Sequence, residues 1–292
     1  MAMIAVGLEP PEHVEPGKLH RFPSAGKARS NKAAWCRMFP DGRGGCFGDW
    51  STGTAGTWQA DRAERMTPAE QGRFRAMVAE ARAVAAAELV ATQAHAARMA
   101  ARLWAKAERA DPEHPYLVRK RVQPYIARQL GERLVLPIVT ARGELASLQF
   151  IHPDGGKRML TGGAKRGRII PVRWLGRGAP IVVCEGFATG ATLAELLPGR
   201  SVAAAIDAGN LGPACAALRS RFPRAEMGVY GDDDRRTPGN PGRTKANEAA
   251  RACGGKVWFP PWNGTEPEDA TDANDLAIAR GLLGKGVSDA RA

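Results

Sequence analysis

The chain has 292 residues and a formal net charge of +12, and 25% of its residues are charged. It contains no apolar run long enough to span a bilayer and no signal-peptide core near the N-terminus, so we expect a cytoplasmic protein without a membrane partner. Its five cysteines form no Cys-x-x-Cys pair, which argues against a disulfide framework or a complete zinc ribbon, and we expect no zinc.

The positive charge is concentrated in the first part of the chain. Residues 1–170 have a net charge of +11, whereas residues 171–292 have a net charge of +1. This asymmetry favours a nucleic acid that one part of the chain binds and the other part processes. A GC-rich genome, which favours Arg and Ala, is the alternative explanation.

Residues 1–66 are rich in Gly and Trp, as in the stretch "DGRGGCFGDWSTGTAGTW", and have little periodicity. They predict a small irregular or short-stranded module. Trp50 and Trp58 either stack on nucleobases or form a small core in this module.

A helical connector is predicted over residues 67–120. The sequence "TPAE" at residues 67–70 provides an N-cap, a proline at the first helical position and a glutamate at N3. The Ala-rich stretch that follows predicts a long helix, either continuous or broken once. We expect it to end near residue 110, where an Asp-Pro pair follows.

A small β-rich unit is predicted over residues 121–175. The segments "RLVLPIV" (133–139) and "ELASLQFI" (144–151) flank "TARG", which is typical of a hairpin. The turn "HPDGGKR" and a further strand, "GRIIPVRWL", complete the unit. Its rim is basic and comprises Lys157, Arg158, Lys165, Arg166 and Arg168.

Strands and helices alternate over residues 176–292, from "PIVVCEG" through "SVAAAID" and "EMGVYGDDD" to "KVWFPP". Such alternation predicts an α/β fold with a parallel sheet flanked by helices. In such sheets, functional residues lie beyond the carboxyl ends of the strands.

Acidic residues follow three successive strands of this predicted sheet. Glu185 ends the first strand, Asp207 the second, and Asp232 and Asp234 the third. We expect these carboxylates to meet at one edge, where they would bind Mg²⁺ or Mn²⁺. Asp233, between the two, is expected to tune the local charge or face solvent.

Each acidic group also has a simpler explanation. Glu185 alone would serve as a helix cap, and the three aspartates at 232–234 would form a solvated turn. Helix capping is a strong rival to function for a downstream group, Asp272, Asn274 and Asp275.

The motifs "CEGFATGATL" and "GDDD" resemble the Toprim domain of primases, topoisomerases and related nucleases. The resemblance implies that Glu185 is a general acid/base or a metal ligand, and that Asp232 and Asp234 hold Mg²⁺. The motifs "DAGNL", with Asp207 and Asn210, and "DANDL" resemble accompanying motifs of plasmid and phage primase-type Toprim proteins.

The upstream stretch "ERLVLPIVTARGELASLQFIHPDGGKRML" resembles the N-terminal half of the bacterial-type primase core. This resemblance implies that Arg133 and Lys157 face the phosphates of a template or an incoming nucleotide, together with neighbouring cations. A plain hairpin with a basic rim is the alternative.

Primases of this type usually carry a zinc ribbon. Here Cys36 and Cys46 have the wrong spacing for a tetrahedral site, even with His13 or His20. Residues 1–66 are therefore interpreted as a degenerate, metal-free form of that region.

Together these features predict a primase-type nucleotidyltransferase that makes short primers on single-stranded DNA from NTPs, in plasmid or phage replication or transfer. No GxxxxGK[ST] motif occurs, so any helicase partner would be a separate protein. Two alternatives stay open: a Toprim nuclease that cleaves DNA, and a non-catalytic single-stranded-DNA-binding protein of a mobile element.

Overall fold

A computed structural model describes residues 2–60, 66–176 and 178–283. The chain forms two compact units, residues 1–95 and residues 96–292. The strands are β1 (Leu19–Phe22), β2 (Ala34–Met38), β3 (Gly44–Asp49), β4 (Thr54–Gln59), β5 (Glu108–Arg109), β6 (Arg128–Leu130), β7 (Arg133–Val139), β8 (Leu145–Ile151), β9 (Lys157–Met159), β10 (Ile170–Arg173), β11 (Ile181–Cys184), β12 (Ser201–Ala204), β13 (Met227–Tyr230) and β14 (Lys256–Trp258). The helices are a short 3₁₀ turn (Ile4–Val6), α1 (Pro68–Lys106), α2 (Pro115–Lys120), α3 (Phe187–Leu196), α4 (Ala208–Arg221), α5 (Pro241–Cys253) and α6 (Ala273–Ala279).

The first unit contains a four-stranded antiparallel sheet in the order β1-β2-β3-β4. Cys36 and Phe47 lie in the core of one face, and Cys46 packs with Ala81 and Ala85 of α1 in the other. The two cysteines are both buried, and burial raises the pKa of both thiols, that of Cys36 to about 11.

Trp50 and Trp58, the two tryptophans considered for base stacking, pack against the cores of this unit. Trp50 stacks on Trp35 with the ring centroids 6.3 Å apart, and Trp58 packs against the cluster that contains Phe47. Packing in a small core is therefore the observed arrangement, and of the two predicted forms of this module the short-stranded one is observed and the irregular one is not.

Helix α1 starts as its sequence predicts. The Glu70 carboxylate accepts a hydrogen bond from the Thr67 N–H at 2.9 Å, and the Thr67 hydroxyl accepts one from the Glu70 N–H at 3.3 Å. This reciprocal pair is a capping box. The helix is continuous but ends at Lys106, earlier than predicted, because Glu108–Arg109 pair with β6 as a strand. Within the described residues, no helix combines the length and apolarity that crossing a bilayer requires.

The second unit begins with a five-stranded antiparallel sheet in the order β5-β6-β7-β8-β9. The β7–β8 hairpin forms as predicted. Residues of β7 alternate between two cores: Leu134 and Leu136 lie in one, and Val135 packs in the other with Ala100 of α1. Both faces of this sheet are therefore covered by apolar packing.

A second sheet in this unit has the order β10-β12-β11-β13-β14. Its last four strands are parallel, whereas β10 pairs antiparallel with β12. The predicted strand "GRIIPVRWL" therefore belongs to this sheet and not to the β-rich unit. Its pairing caps an edge that a parallel sheet would otherwise expose.

The parallel strands are buried on both faces. Val182 and Cys184 of β11 lie in a core with α3 and α6, and Ile181 and Val183 lie in a core with α4 and α5. This arrangement is the flanked parallel sheet that the alternating sequence predicts. It places the β11, β12 and β13 carboxyl ends at one edge.

Candidate active site

The strand order brings three acidic segments together. β11 lies between β12 and β13 in the sheet, so Glu185, which follows β11, lies between the segments that begin at Asp207 and Asp232. In open parallel sheets, ligands bind beyond the carboxyl ends of the strands, at the point where the strand order reverses direction. The sheet therefore places the predicted residues at such a position.

Among the carboxyl groups at this edge, that of Asp232 has the largest pKa shift. Its Oδ1 atom is buried and has no hydrogen-bond partner among the described residues. Its pKa is raised from 3.8 to about 8, first by burial and then by the nearby charges of Glu185, Asp272 and Asp234, while Lys157 opposes the rise. A buried oxygen without a donor and with several carboxylates nearby favours either a proton or a cation.

Glu185 shares this electrostatic environment. Burial raises the pKa of Glu185, a hydrogen bond from the Ala208 N–H opposes the rise, and the charges of Asp207 and Asp234 add to it. Ala208 is the first residue of α4, so the carboxylate lies at the start of that helix. The structure thus confirms proximity between Glu185 and the segments of β12 and β13.

Asp234 is held by the start of α5. Its Oδ2 atom accepts a hydrogen bond from the Gly242 N–H at 2.8 Å. A Cβ atom at Gly242 would lie 2.6 Å from the Asp232 carbonyl oxygen and 2.8 Å from Asp234 Oδ2. Only glycine lets the helix approach this loop so closely.

Asp207 is engaged by the protein itself. Its Oδ1 atom caps α4 by accepting a hydrogen bond from the Asn210 N–H at 3.1 Å, and its Oδ2 atom lies 2.6 Å from Lys165 Nζ. The preceding residue, Ile206, has a φ of 81°. Left-handed backbone is costly for a β-branched residue and marks a constrained turn.

Asn210 is buried and fastens the basic loop before β10. Its amide nitrogen donates to the Arg168 carbonyl at 2.9 Å and to the Ala205 carbonyl at 2.8 Å. Its Oδ1 atom accepts from the Gly167 N–H at 2.8 Å. This side chain therefore positions the loop, and its oxygen is already engaged in a hydrogen bond.

The downstream acidic group caps α6. Asp272 Oδ1 accepts from the Asp275 N–H at 2.8 Å, and Oδ2 accepts from the Thr189 hydroxyl at 2.9 Å. Asp275 pairs with Lys120 at 3.2 Å, and buried Asn274 donates to the Lys120 carbonyl at 2.7 Å. Capping is thus observed for Asp272, which also acts on the pKa of Asp232.

The predicted cations occupy different positions. Lys157 and Arg158 are exposed on β9, and the charge of Lys157 lowers the pKa of both Glu185 and Asp232. Arg166 is exposed in the loop held by Asn210. Arg133 lies over the Phe150 ring, 5.1 Å from its centroid.

The basic character belongs to one part of the chain. Residues 96–170 have a net charge of +9, whereas residues 1–95 have a net charge of only +2. The cationic region is therefore in the same unit as the carboxylates.

Asp233 contradicts one of its two predicted roles, that of facing solvent. It is 2% exposed and does not face solvent. Its carboxylate accepts hydrogen bonds from Asn240, Arg243 and Trp262. The sequence did not predict these three partners, because they are 7, 10 and 29 residues away in loops and at a helix start. Such segments have no periodic pattern that would show which side chains face Asp233.

The donor set fits a hard divalent cation. Among the described ranges, no three His, Cys, Asp or Glu side chains enclose a point as a ready metal cage. Mg²⁺ does not require one, because it is commonly held through one or two carboxylates and keeps several waters. The unpartnered Asp232 Oδ1 atom, with Asp234 and Glu185 nearby, provides oxygen donors of that kind.

Residues 180–282 match the family model of the Toprim domain. The chain therefore carries a Toprim domain, as its motifs predict.

Similarity to known proteins extends beyond this domain. The chain is 35% identical over 258 residues to DNA primase TraC of Escherichia coli, covering 84% of this chain and 24% of that protein. A second Escherichia coli protein named DNA primase TraC is 33% identical, covering 87% of this chain and 18% of that protein. The chain thus spans about a quarter or less of these relatives and is homologous to them over most of its own length.

Among solved structures, the RNA polymerase domain of Mycobacterium tuberculosis primase DnaG is 19% identical, with a TM-score of 0.41. That match covers 68% of this chain and 82% of the other.

Proposed function

We propose that this chain is a DNA primase-type nucleotidyltransferase that makes short primers on single-stranded DNA, in plasmid or phage replication or transfer. The observation that carries the proposal is the Asp232 carboxyl group, which has a buried oxygen without a partner and a pKa of about 8 beside other carboxylates. Homology to DNA primase TraC over 84% of the chain supports the same class of reaction.

The proposed reaction joins two nucleotides. The 3′-hydroxyl of one loses its proton and attacks the α-phosphorus of a nucleoside triphosphate, a P–O bond forms, and the bond to pyrophosphate breaks. A bound Mg²⁺ or Mn²⁺ would neutralise charge on the phosphoryl oxygens. In this proposal Asp232 and Asp234 hold the cation and Glu185 assists.

Glu185 is suited to proton transfer. Its raised pKa, caused first by burial, brings a carboxylate closer to the basicity that a general base needs. We therefore propose that Glu185 either accepts the proton of the attacking hydroxyl or helps to bind the cation. Asp207, Asn210 and the cap at Asp272 support the loops around it.

The basic residues of the second unit would bind phosphates. Exposed Lys157 and Arg158 lie on β9, and Lys165 and Arg166 lie in the next loop. With Arg133, they are the proposed contacts to template and triphosphate. The proposed partners are single-stranded DNA and NTPs, with a helicase as a separate protein.

Primer synthesis tests the proposal directly. Wild-type protein is incubated with single-stranded DNA, labelled NTPs and Mg²⁺, and products are resolved by size. We expect short oligoribonucleotides from wild type and from Asp269→Asn, which changes an exposed aspartate in the same way, and loss with Asp232→Asn or Asp234→Asn.

Other outcomes identify the alternatives. Metal-dependent nicking of plasmid DNA without NTPs would identify a nuclease. Binding of single strands that survives EDTA, with no product under any condition, would identify a binding protein. Equal synthesis by Asp232→Asn and wild type would overturn the assigned site.

A further inference from the structure

The central aspartate of the Asp232–Asp234 run is the one that is buried. Asp233 is 2% exposed, and its two oxygens accept three hydrogen bonds: from Asn240 Nδ2 at 2.6 Å, Trp262 Nε1 at 3.0 Å and Arg243 Nη1 at 3.2 Å. Burial of a carboxylate costs much free energy unless hydrogen-bond donors of the protein replace the lost water. Asp233 therefore ties together three segments of the chain.

Asn240 connects Asp233 to Asp234 through hydrogen bonds. While its Nδ2 donates to Asp233, its Oδ1 accepts from the Asp234 N–H at 3.0 Å and from the Arg243 N–H at 3.2 Å. Asn240 is also the N-cap of α5. The orientation of its amide is thus fixed on both sides, with the nitrogen toward a carboxylate and the oxygen toward two N–H groups.

A second connection leads to the segment before α6. The Asp233 N–H donates to the Thr271 carbonyl at 2.7 Å, and Trp262 belongs to the same stretch, which ends at Asp272. Arg235 stacks on Trp262, 4.4 Å from its centroid, and donates to the Pro267 and Ala270 carbonyls. The loop between β13 and α5 is therefore held against this stretch.

We propose that Asp233 is a positioning residue that fixes Asp232 and Asp234 for binding a divalent cation. Asp233 points into the protein, and its bonds set the backbone from which its two neighbours project. The inference rests on the proposed function, because it takes Asp232 and Asp234 as cation ligands. Residues that orient metal ligands through hydrogen bonds commonly contribute ten- to a hundredfold to affinity.

The variant Asp233→Asn breaks this arrangement without changing side-chain size. One of its two polar atoms becomes an NH₂ group. When that group faces Asn240, two donors oppose each other, and when it faces the opposite way it opposes the donors of Trp262 and Arg243. Rotating the Asn240 amide to relieve the conflict would turn its nitrogen toward the N–H groups of Asp234 and Arg243, which again opposes donors.

Exchanging the two residues restores the pattern. In the double variant Asp233→Asn with Asn240→Asp, the new carboxylate at 240 accepts from the amide at 233 and from both N–H groups. Aspartate is also as good an N-cap as asparagine. Asn240→Asp alone places two carboxylates against each other, so each single change is unfavourable and the pair is compatible.

The experiment measures Mn²⁺ binding to the full chain by the electron paramagnetic resonance signal of the free ion, with thermal unfolding measured in parallel. We expect Asp233→Asn and Asn240→Asp to weaken binding about ten- to a hundredfold. The double variant should return to within about fivefold of wild type, because the two changes share one hydrogen-bond network. Asp269→Asn, which changes an exposed aspartate in the segment before α6, should bind as wild type does.

Two results overturn the inference: wild-type Mn²⁺ affinity in folded Asp233→Asn, or a double variant no tighter than the single ones. If Asp233→Asn does not fold, Trp262→Phe removes one of its donors, and unchanged Mn²⁺ affinity there overturns the inference. Failure of the proposed cation site is a separate outcome, because Asp232→Asn would then bind Mn²⁺ as tightly as wild type.

Discussion

Lys165 Nζ lies 2.6 Å from Asp207 Oδ2, so a predicted phosphate-binding cation is paired with a predicted metal ligand. The other oxygen of Asp207 caps α4. Both oxygens are thus in use, and we expect Asp207→Asn to change Mn²⁺ affinity by less than about threefold, since asparagine keeps the cap. Calorimetric titration with Mn²⁺ measures this.

Asp232→Asn is the matched comparison for Asp207→Asn, because it makes the same chemical change at the unpartnered carboxyl group. We expect it to weaken binding about tenfold or more, as loss of a ligand or its orientation does. Equal losses in the two variants would show that Asp207 is itself a ligand and that its pairing with Lys165 opens when the cation binds.

The stability of the cation-free protein is expected to fall between about pH 4 and about pH 8. The folded chain keeps the Asp232 proton up to about 8, whereas the unfolded chain releases it near 3.8. The stabilisation is therefore complete below the unfolded pKa and is lost as the pH rises through the folded pKa. Thermal unfolding in EDTA across this range measures the effect against Asp232→Asn.

Asp232→Asn cannot ionise at this position, so its unfolding temperature should depend less on pH and exceed that of wild type near pH 8. Adding Mg²⁺ at pH 8 should raise the unfolding temperature of wild type by more than that of this variant, which binds the cation more weakly. Parallel pH profiles for the two proteins would show that Asp232 ionises normally in the folded state.

The site was predictable where it depends on strand ends. Glu185 directly follows β11 and Asp232 lies two residues after β13, and parallel strands bring their carboxyl ends to one edge. The sequence does not reveal how Asp233 is buried, because its partner Trp262 is 29 residues away in a Pro-rich loop without periodicity. Exposure to water was one of the two expectations for Asp233, and its burial among three donors contradicts that one.

The order of the strands in the sheet could not be predicted from the sequence either. Alternation predicts parallel strands but does not specify that β10 joins their edge, since a short apolar strand fits either neighbouring sheet. The first unit illustrates the same limit: its short strands contain Gly45, Gly48 and Gly56, which bring backbone against aromatic rings and conceal the usual alternation. The start of α1 was predictable because its capping box is local.

Gly242→Ala should disrupt the loop that carries Asp232 and Asp234. The new Cβ atom would lie 2.6 Å from the Asp232 carbonyl oxygen, which belongs to the backbone and cannot rotate away. We expect a loss of about 1–3 kcal/mol in the free energy of unfolding, as for other overpacked sites. Urea denaturation measures it, with Mn²⁺ affinity expected to fall in parallel.

Gly72→Ala is the matched control for Gly242→Ala. Gly72 lies in α1, and no atom from outside its own helix lies within 4 Å of its added Cβ, so alanine should stabilise the helix by about 0.5–1 kcal/mol. A stable Gly242→Ala with normal Mn²⁺ affinity would show that α5 does not need its close approach to this loop.

Binding of single-stranded DNA should depend on cations of the second unit and not on those of the first. Because residues 96–170 have a net charge of +9 and residues 1–95 only +2, we expect Arg158→Ala to reduce the slope of log affinity against log salt by about 0.7, the value for one lost phosphate contact. Arg29→Ala, which removes an exposed arginine of the first unit, should leave the slope unchanged. Fluorescence anisotropy from low to moderate salt distinguishes the two variants, and equal slopes for both would place the DNA elsewhere than on β9.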